Sequence, residues 1–321
     1  MRKGRIKLKR MLFVAVLVLC TVLGTADEWI QGAYLDLIAF SADSRFVAFQ
    51  TSTNVEAVGN AVPDKWIIIA DTDNQVTGKI QLSEFKVIES EPDSKATSTK
   101  IKERVDNAHA RLKTEGYTFE VKRQPLPKGL LVDYDDKPFG ASGYEFHLKF
   151  FIQDEETGVT LEVAECVAEQ NEPKPKEKKE TGFFGPGWTV ITDESYSTPD
   201  GRSFVVFYRT PFMGEYAQGN RGAFMISGNK LSSFYNSVGF AHYKKKRYDA
   251  ALEKFKESYF YNPQNPKACY NIACMYALSG DAQTVNEYLD RLKSLNTEDA
   301  AALLKQVATD SDFDSVRNLI K

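Results

Sequence analysis

The 321-residue chain holds three histidines, His109, His147 and His242, and these are the first residues to test for chemistry. No two of them stand at metal-ligand spacing, and a zinc site needs clustered imidazole and thiolate ligands. Structural or surface roles are expected for all three. Two acidic runs invite a calcium reading. "DTDNQV" opens with Asp71 and Asp73, but Val76 stands where a calcium loop needs Gly. "DSDFDS", from Asp310, has Ser315 at that place and Lys321 where the bidentate Glu belongs. Both runs are expected as turns or caps, and "DYDDK" (133–137) as a hairpin turn. Beyond residue 26 the cysteines are Cys166, Cys269 and Cys274, an odd number without a C-x-x-C pair, which speaks against a disulfide framework. Their expected role is that of small buried hydrophobes. There is no G-x-S-x-G, phosphate loop or G-x-G-x-x-G. "GFFGPGW" (182–188) is filled with Pro and aromatics and is followed by no helix, so it reads as a bend. The residues single out no catalytic group, no metal ligand and no cofactor.

Any site must be positioned by three successive segments. The first is "MRKGRIKLKR", six basic residues in ten, then the apolar "MLFVAVLVLC" and the small residues of "TVLGTADEW". This is the layout of a secretory signal over residues 1–26, with cleavage expected after Ala26. Retention as an anchor and lipidation of Cys20 are the alternatives, although Met11–Leu23 is shorter than the roughly 20 residues of a spanning helix. The expected location is the periplasm, cell envelope or exterior, with no stable membrane span after cleavage. Cleavage would leave 35 basic against 44 acidic residues, a net of −9. Such a charge disfavours nucleic acid as a partner. The composition, 42% hydrophobic and 26% charged, is that of a globular chain.

From Asp27 to about residue 228 the apolar period is mostly two. Strands are expected in "AYLDLIAF", "RFVAFQT", "KWIIIADT", "YTFEVKR", "GLLVDYD", "YEFHLKFFIQD", "VTLEVAECVAE", "WTVITDE", "SFVVFYRT" and "GAFMISG". A hairpin is expected around Glu156-Thr157-Gly158, and one helix over 98–115, where Ile101, Val105, Ala108 and Leu112 share a face before Gly116. "EQNEPKPKEKKET" (169–181) reads as a solvated loop. "FSADSRFVAF" (40–49) and "YSTPDGRSFVVF" (196–207) share a cadence. Two such copies are too few for a propeller of about four or more blades, so a pair of similar hairpins in one sheet is expected.

After Asn229 the period changes to 3.6. With position one at Ser232, Gly239 falls at position eight, Ala251 at twenty, Phe255 at twenty-four, Ser258 at twenty-seven and Pro263 at thirty-two. An ungapped second copy places Cys269, Ile272, Ala273 and Tyr276 on first-helix positions and Leu289 on the Phe position, with Val285 replacing the usual Ala. This pattern resembles the 34-residue tetratricopeptide repeat, a helix pair whose small residues let the helices approach. The resemblance implies two repeats and a degenerate third helix pair as a cap, ending in "DSDFDSVR". It also implies a concave face formed by the first helix of each pair, made here by Ser233, Asn236, Phe240, Tyr243, Lys267, Tyr270 and Cys274. Of these, Asn236, Phe240, Tyr243, Lys267 and Tyr270 are expected to contact a partner protein.

Residues 27–228, with "AFSADSRFVAFQ", "KWIIIADTDNQ", a helix, a hairpin carrying a Cys in its second strand, and "GFFGPG…PDGRSFVVFYRTP", resemble a family of predicted secreted bacterial proteins of unknown function. That resemblance implies no activity. The expected fold class is α+β: a β-rich domain with a mixed or antiparallel sheet and one helix over 27–228, then an all-α module over 229–321. The expected function is non-enzymatic, a protein–protein interaction through the helical groove. The alternatives are a hydrolase using two carboxylates about 5 to 10 Å apart, or a carbohydrate- or lipid-binding module using Trp29, Trp66 and Trp188.

Overall fold

The computed structural model describes residues 30–32, 34–52, 61–87, 91–139, 143–170, 191–209 and 221–320. In chain order the first strands are β1 (Ile30–Gly32), β2 (Tyr34–Ser41), β3 (Phe46–Ser52), β4 (Ala61–Val62), β5 (Lys65–Asp71), β6 (Val76–Ser83) and β7 (Lys86–Val87). Helix α1 (Glu91–Thr114) precedes β8 (Tyr117–Thr118), β9 (Lys122–Gln124), β10 (Leu130–Phe139), β11 (Gly143–Gln153) and β12 (Thr160–Gln170). Then come β13 (Ile191–Ser197), β14 (Phe204–Arg209), β15 (Arg221–Ile226), and the helices α2 (Gly228–Lys244), α3 (Tyr248–Tyr261), α4 (Pro266–Leu278), α5 (Ala282–Ser294) and α6 (Glu298–Gln306). Two 3-10 turns, Ser311–Phe313 and Arg317–Leu319, close the chain.

All described strand pairs are antiparallel. They form a five-stranded sheet β1-β15-β14-β13-β9, a five-stranded sheet β6-β5-β3-β2-β8, a three-stranded sheet β10-β11-β12 and the small pair β4-β7. The first of these is the middle layer, because strands β14 and β15 are apolar on both faces. Val205, Phe207, Ala223 and Met225 pack on Leu35, Phe40, Val47 and Phe49 of the β2–β3 sheet. Alternating with them, Val206, Tyr208, Phe224 and Ile226 pack on Leu148, Phe150, Ile152, Val163 and Cys166 of the three-stranded sheet. Period two on a strand buried on both sides produces these two cores. A bulge between Leu37 and Ala39 shifts β2 by one residue, so Leu35 and Phe40 both face the middle sheet although they are an odd number apart. On the far side of that sheet, Ala39, Ala48, Ile67 and Leu82 meet Ala108 and Leu112 of α1.

The two similar cadences are built alike. Ser41 donates to Asp43 at 2.7 Å and accepts from Phe46 N at 2.8 Å; Thr198 donates to Asp200 at 2.7 Å and accepts from Ser203 N at 3.0 Å. Each Asp then accepts the amide two residues on, Arg45 or Arg202. The left-handed position is Ser44 (φ 59) in one turn and Gly201 (φ 72) in the other. The turns touch, since Asp200 N donates to the Ser44 hydroxyl at 3.3 Å. One expectation is corrected here: the hairpins lie in two facing sheets rather than one, and Phe49 meets Phe207 edge-on across the layer at 6.1 Å.

Four further expectations change. Helix α1 starts at Glu91, a turn and more before residue 98. Residues 117–123 are split, with β8 pairing β2 and β9 pairing β13. Residues 133–137 continue strand β10 rather than turning, with Asp133 opposite Lys149 and Asp135 opposite His147. Instead of a third helix pair, α6 is followed by 3-10 turns. The Glu156 hairpin forms as expected, with Gly158 at φ 75. The segment 171–190, which includes "GFFGPGW", lies outside the described residues, as do 1–29.

Candidate functional site

Each described helix from α2 starts where its sequence supplies a cap, α3 excepted. Ser227, Asn265, Asp281 and Thr297 accept backbone amides at the starts of α2, α4, α5 and α6, and Pro266 takes the first turn of α4. Helices α2 and α3 cross at Gly239, where an added β-carbon would stand 2.7 Å from the Phe255 ring. The crossing also encloses Ser232 and Ser258, whose hydroxyls are 3.0 Å apart, with Ser258 donating to Ser232 O at 2.7 Å and Asn265 donating to Ser232 Oγ at 2.8 Å. In the second hairpin Cys269, Ile272, Ala273, Val285 and Leu289 pack in one core.

The outer side of α2 is spent on the β layers. Leu231, Phe234 and Val238 join the core of the three-stranded sheet, and Lys230 Nζ donates to Val163 O at 2.7 Å. The tip of the β11–β12 hairpin reaches the end of α2. There Glu156 pairs with Arg247 and lies 3.9 Å from the Nε2 of buried His242. His109 is half-buried against Phe119 at 5.0 Å. The His147 side chain lies outside the described set.

The inner sides of α2 and α4 carry the residues expected to hold a partner. Ser233 and Lys267 are exposed, and Asn236 accepts from Asn271 Nδ2 at 2.8 Å. Phe240 is 45% exposed and stacks on Tyr243 at 5.9 Å. Tyr243, Tyr270 and Cys274 are already engaged. The segment after α6 crosses them, placing Asp312 on the Tyr243 hydroxyl at 3.0 Å and Asp310 on the Tyr270 hydroxyl at 2.6 Å. Phe313 is fully buried 5.8 Å from the Tyr270 ring. Ser315 Oγ donates to Ala277 O at 2.7 Å, and Arg317 donates to Val307 O at 2.6 Å and Asp310 O at 2.7 Å. The tail is therefore clipped to α4 by Asp310 and Ser315 and the Phe313 ring, to α2 by Asp312, and braced on itself by Arg317.

This seat is acidic and half dry. Burial raises the Asp312 carboxyl above the ordinary carboxylate value, with Asp310's charge adding and the Tyr243 hydroxyl opposing. Burial likewise pushes up the Cys274 thiol, helped by Asp310 and Asp312, so it stays protonated near neutral pH. Tyr243 and Tyr270 are raised by burial and by donating to carboxylates. Ligand atoms of Cys274, Asp310 and Asp312 come within 4.8 Å of one another. With a protonated thiol and both carboxylates accepting Tyr hydroxyls, that arrangement suits hydrogen bonding better than metal ligation. Cys166 and Cys269 are also buried, their thiols pushed up to about 12 and about 11.

The tail's part in this face was not anticipated. A visible signal was its alternation of Asp and Ser around one Phe, which is unlike the surrounding amphipathic helices. No helix among the described residues is long and apolar enough to cross a membrane. A comparison with protein-family models gives no match, and no curated protein or solved structure is significantly similar.

Proposed function

We propose that the protein is an exported, non-enzymatic binding protein whose helical module is of the tetratricopeptide type and holds a partner protein in the cell envelope. The observation that carries this reading is that Ser233, Phe240 and Lys267 stand uncovered on the inner side of α2 and α4, while the opposite side of α2 is buried in the β layers. Two helix hairpins repeating at 34 residues, with Gly239 and Ala273 at the same crossing, support the tetratricopeptide identity. The apolar-plus-amide character of Phe240 and Asn236 suits a peptide segment that contributes a side chain and backbone hydrogen bonds. Export rests on the basic, apolar and small-residue layout of residues 1–26.

The test is affinity capture from a cell-envelope extract with the full chain, compared with a Phe240→Ala plus Lys267→Ala variant. Both positions are exposed, so folding should survive the change. Loss of a specific co-purifying protein supports the reading. Retention of every partner by the double variant removes the concave face as the site.

A further inference from the structure

The end of α2 and the turn into α3 carry the run Lys244-Lys245-Lys246-Arg247, four consecutive basic residues in a chain of formal net charge −3. Arg247 is occupied by Glu156. Lys244, Lys245 and Lys246 are exposed, and none of them forms an ion pair with a carboxylate among the described residues. Lys246 keeps a lysine at φ 58, a left-handed position that Gly or Asn fills with less strain. Beside this run lies a row of three rings. Phe240 and Tyr248 are 45% and 40% exposed, and Tyr243 stands 5.9 Å from each. Lys244 Nζ sits 4.7 Å over the Phe240 ring.

The occupant this shelf suits is indicated by the segment already lying next to it. Tyr243, the middle ring, accepts the chain's own tail by donating to Asp312, while Phe313 of the same segment packs on Tyr270. In cis, this side of the helices takes a segment of alternating carboxylates with one aromatic. The open continuation beyond Tyr243 offers two more rings, Phe240 and Tyr248, and three ammonium groups that no carboxylate among the described residues pairs with. Charge complementarity and continuity with the seated tail point to one kind of ligand. We propose that the Phe240–Tyr248 shelf, with Lys244, Lys245 and Lys246, receives an acidic, aromatic-bearing segment of a partner polypeptide. The inference rests on the concave-face reading above and names the partner's chemistry. A polypeptide is favoured over an anionic bilayer because Tyr243 already holds a polypeptide carboxylate.

The probe is a fluorescein-labelled DSDFDS peptide, titrated against the full chain by fluorescence anisotropy. Saturable binding is expected, weakening with added salt. A charge-reversed KSKFKS peptide should not bind. Binding should fall about tenfold or more in a Lys244→Glu, Lys245→Glu, Lys246→Glu variant, and several-fold in Phe240→Ala. Circular dichroism would confirm that both variants are folded. Absence of saturable DSDFDS binding, or equal binding by the triple variant, overturns the proposal. So does sedimentation of the protein with phosphatidylserine vesicles when the peptide fails to bind, because that makes the shelf a lipid-facing surface. A captured partner that needs Phe240 and Lys267 but ignores the triple change would leave the concave-face reading standing and remove this one alone.

Discussion

Phe240 and Cys274 hold the same place in successive helix hairpins, 34 residues apart, yet Phe240 is 45% exposed and Cys274 only 4%. The pair Asn236 and Tyr270 differs in the same sense, half-buried against buried. The crossing residues Gly239 and Ala273, by contrast, are buried alike. Spacing therefore sets how the two helices of a hairpin meet, because that contact is local to the hairpin. It does not set which inner side chains stay open, because that depends on what the chain lays over them later. Over the second hairpin it lays Asp310 to Val316; over the inner face of the first, the described hydrogen bonds bring Asp312, on Tyr243.

Removing the covering segment should erase much of the difference. Phe313→Ala deletes a fully buried ring, and such truncations cost about 3–5 kcal/mol. Urea unfolding should show a loss of that size. Cys274 should also become reactive toward iodoacetamide under native conditions, at a rate well above the wild type's. If Cys274 stays protected in that variant, the tail is not what buries it.

A smaller effect probes the part the hairpins share. Gly239→Val would push its β-carbon into the Phe255 ring, to within 2.7 Å, and overpacking of this kind costs about 1–3 kcal/mol. At the equivalent place, Ala273→Gly should cost about 1 kcal/mol through backbone entropy. Equilibrium denaturation of both variants decides whether the two crossings are as alike as their spacing. A Gly239→Val protein as stable as the wild type would show that the first crossing has slack.

The seat of the tail should also respond to pH. Since burial and Asp310 raise the Asp312 carboxyl, the folded chain binds that proton more tightly than the unfolded chain. Its contribution is present in full below the ordinary carboxylate pKa and is lost as pH rises through the raised value. Asp312→Asn keeps an acceptor for Tyr243 and should flatten the stability profile across that window. An unchanged profile would mean that Asp312 does not titrate with folding.

Much of the β architecture was legible because alternation marks a strand whatever it pairs with. Which sheet a strand joins is less so, since period two does not name the partner. Residues 40–49 and 196–207 thus read as relatives, but their face-to-face contact through Ser44 and Asp200 rests on packing of elements 156 residues apart. The Asp-rich 133–137 misled for a different reason. It lies on β10, an edge strand of its sheet, where charged residues and Pro138 suit an unpaired side. On the helical side, the repeat offsets fall where hairpins form, whereas the tail's seat depends on partners 69 and 40 residues away. No local pattern encodes such a distance.

The smallest expected effect on stability is at the position that opened the comparison. Phe240→Ala removes a large ring, but one that is nearly half in water and packs only on Tyr243 and the Lys244 ammonium among the described ring contacts. A change within about 0.5 kcal/mol is expected, as for other surface substitutions. The equivalent Cys274→Ser alters a single atom, yet it places a hydroxyl in a 4% exposed site beside two carboxylates. Unless that hydroxyl finds Asp310 or Asp312, the cost is about 1–3 kcal/mol. The larger chemical change should therefore give the smaller stability change. Denaturant midpoints in the reverse order would mean that Phe240 packs as a core residue, and the open inner side of α2 would lose its best candidate contact.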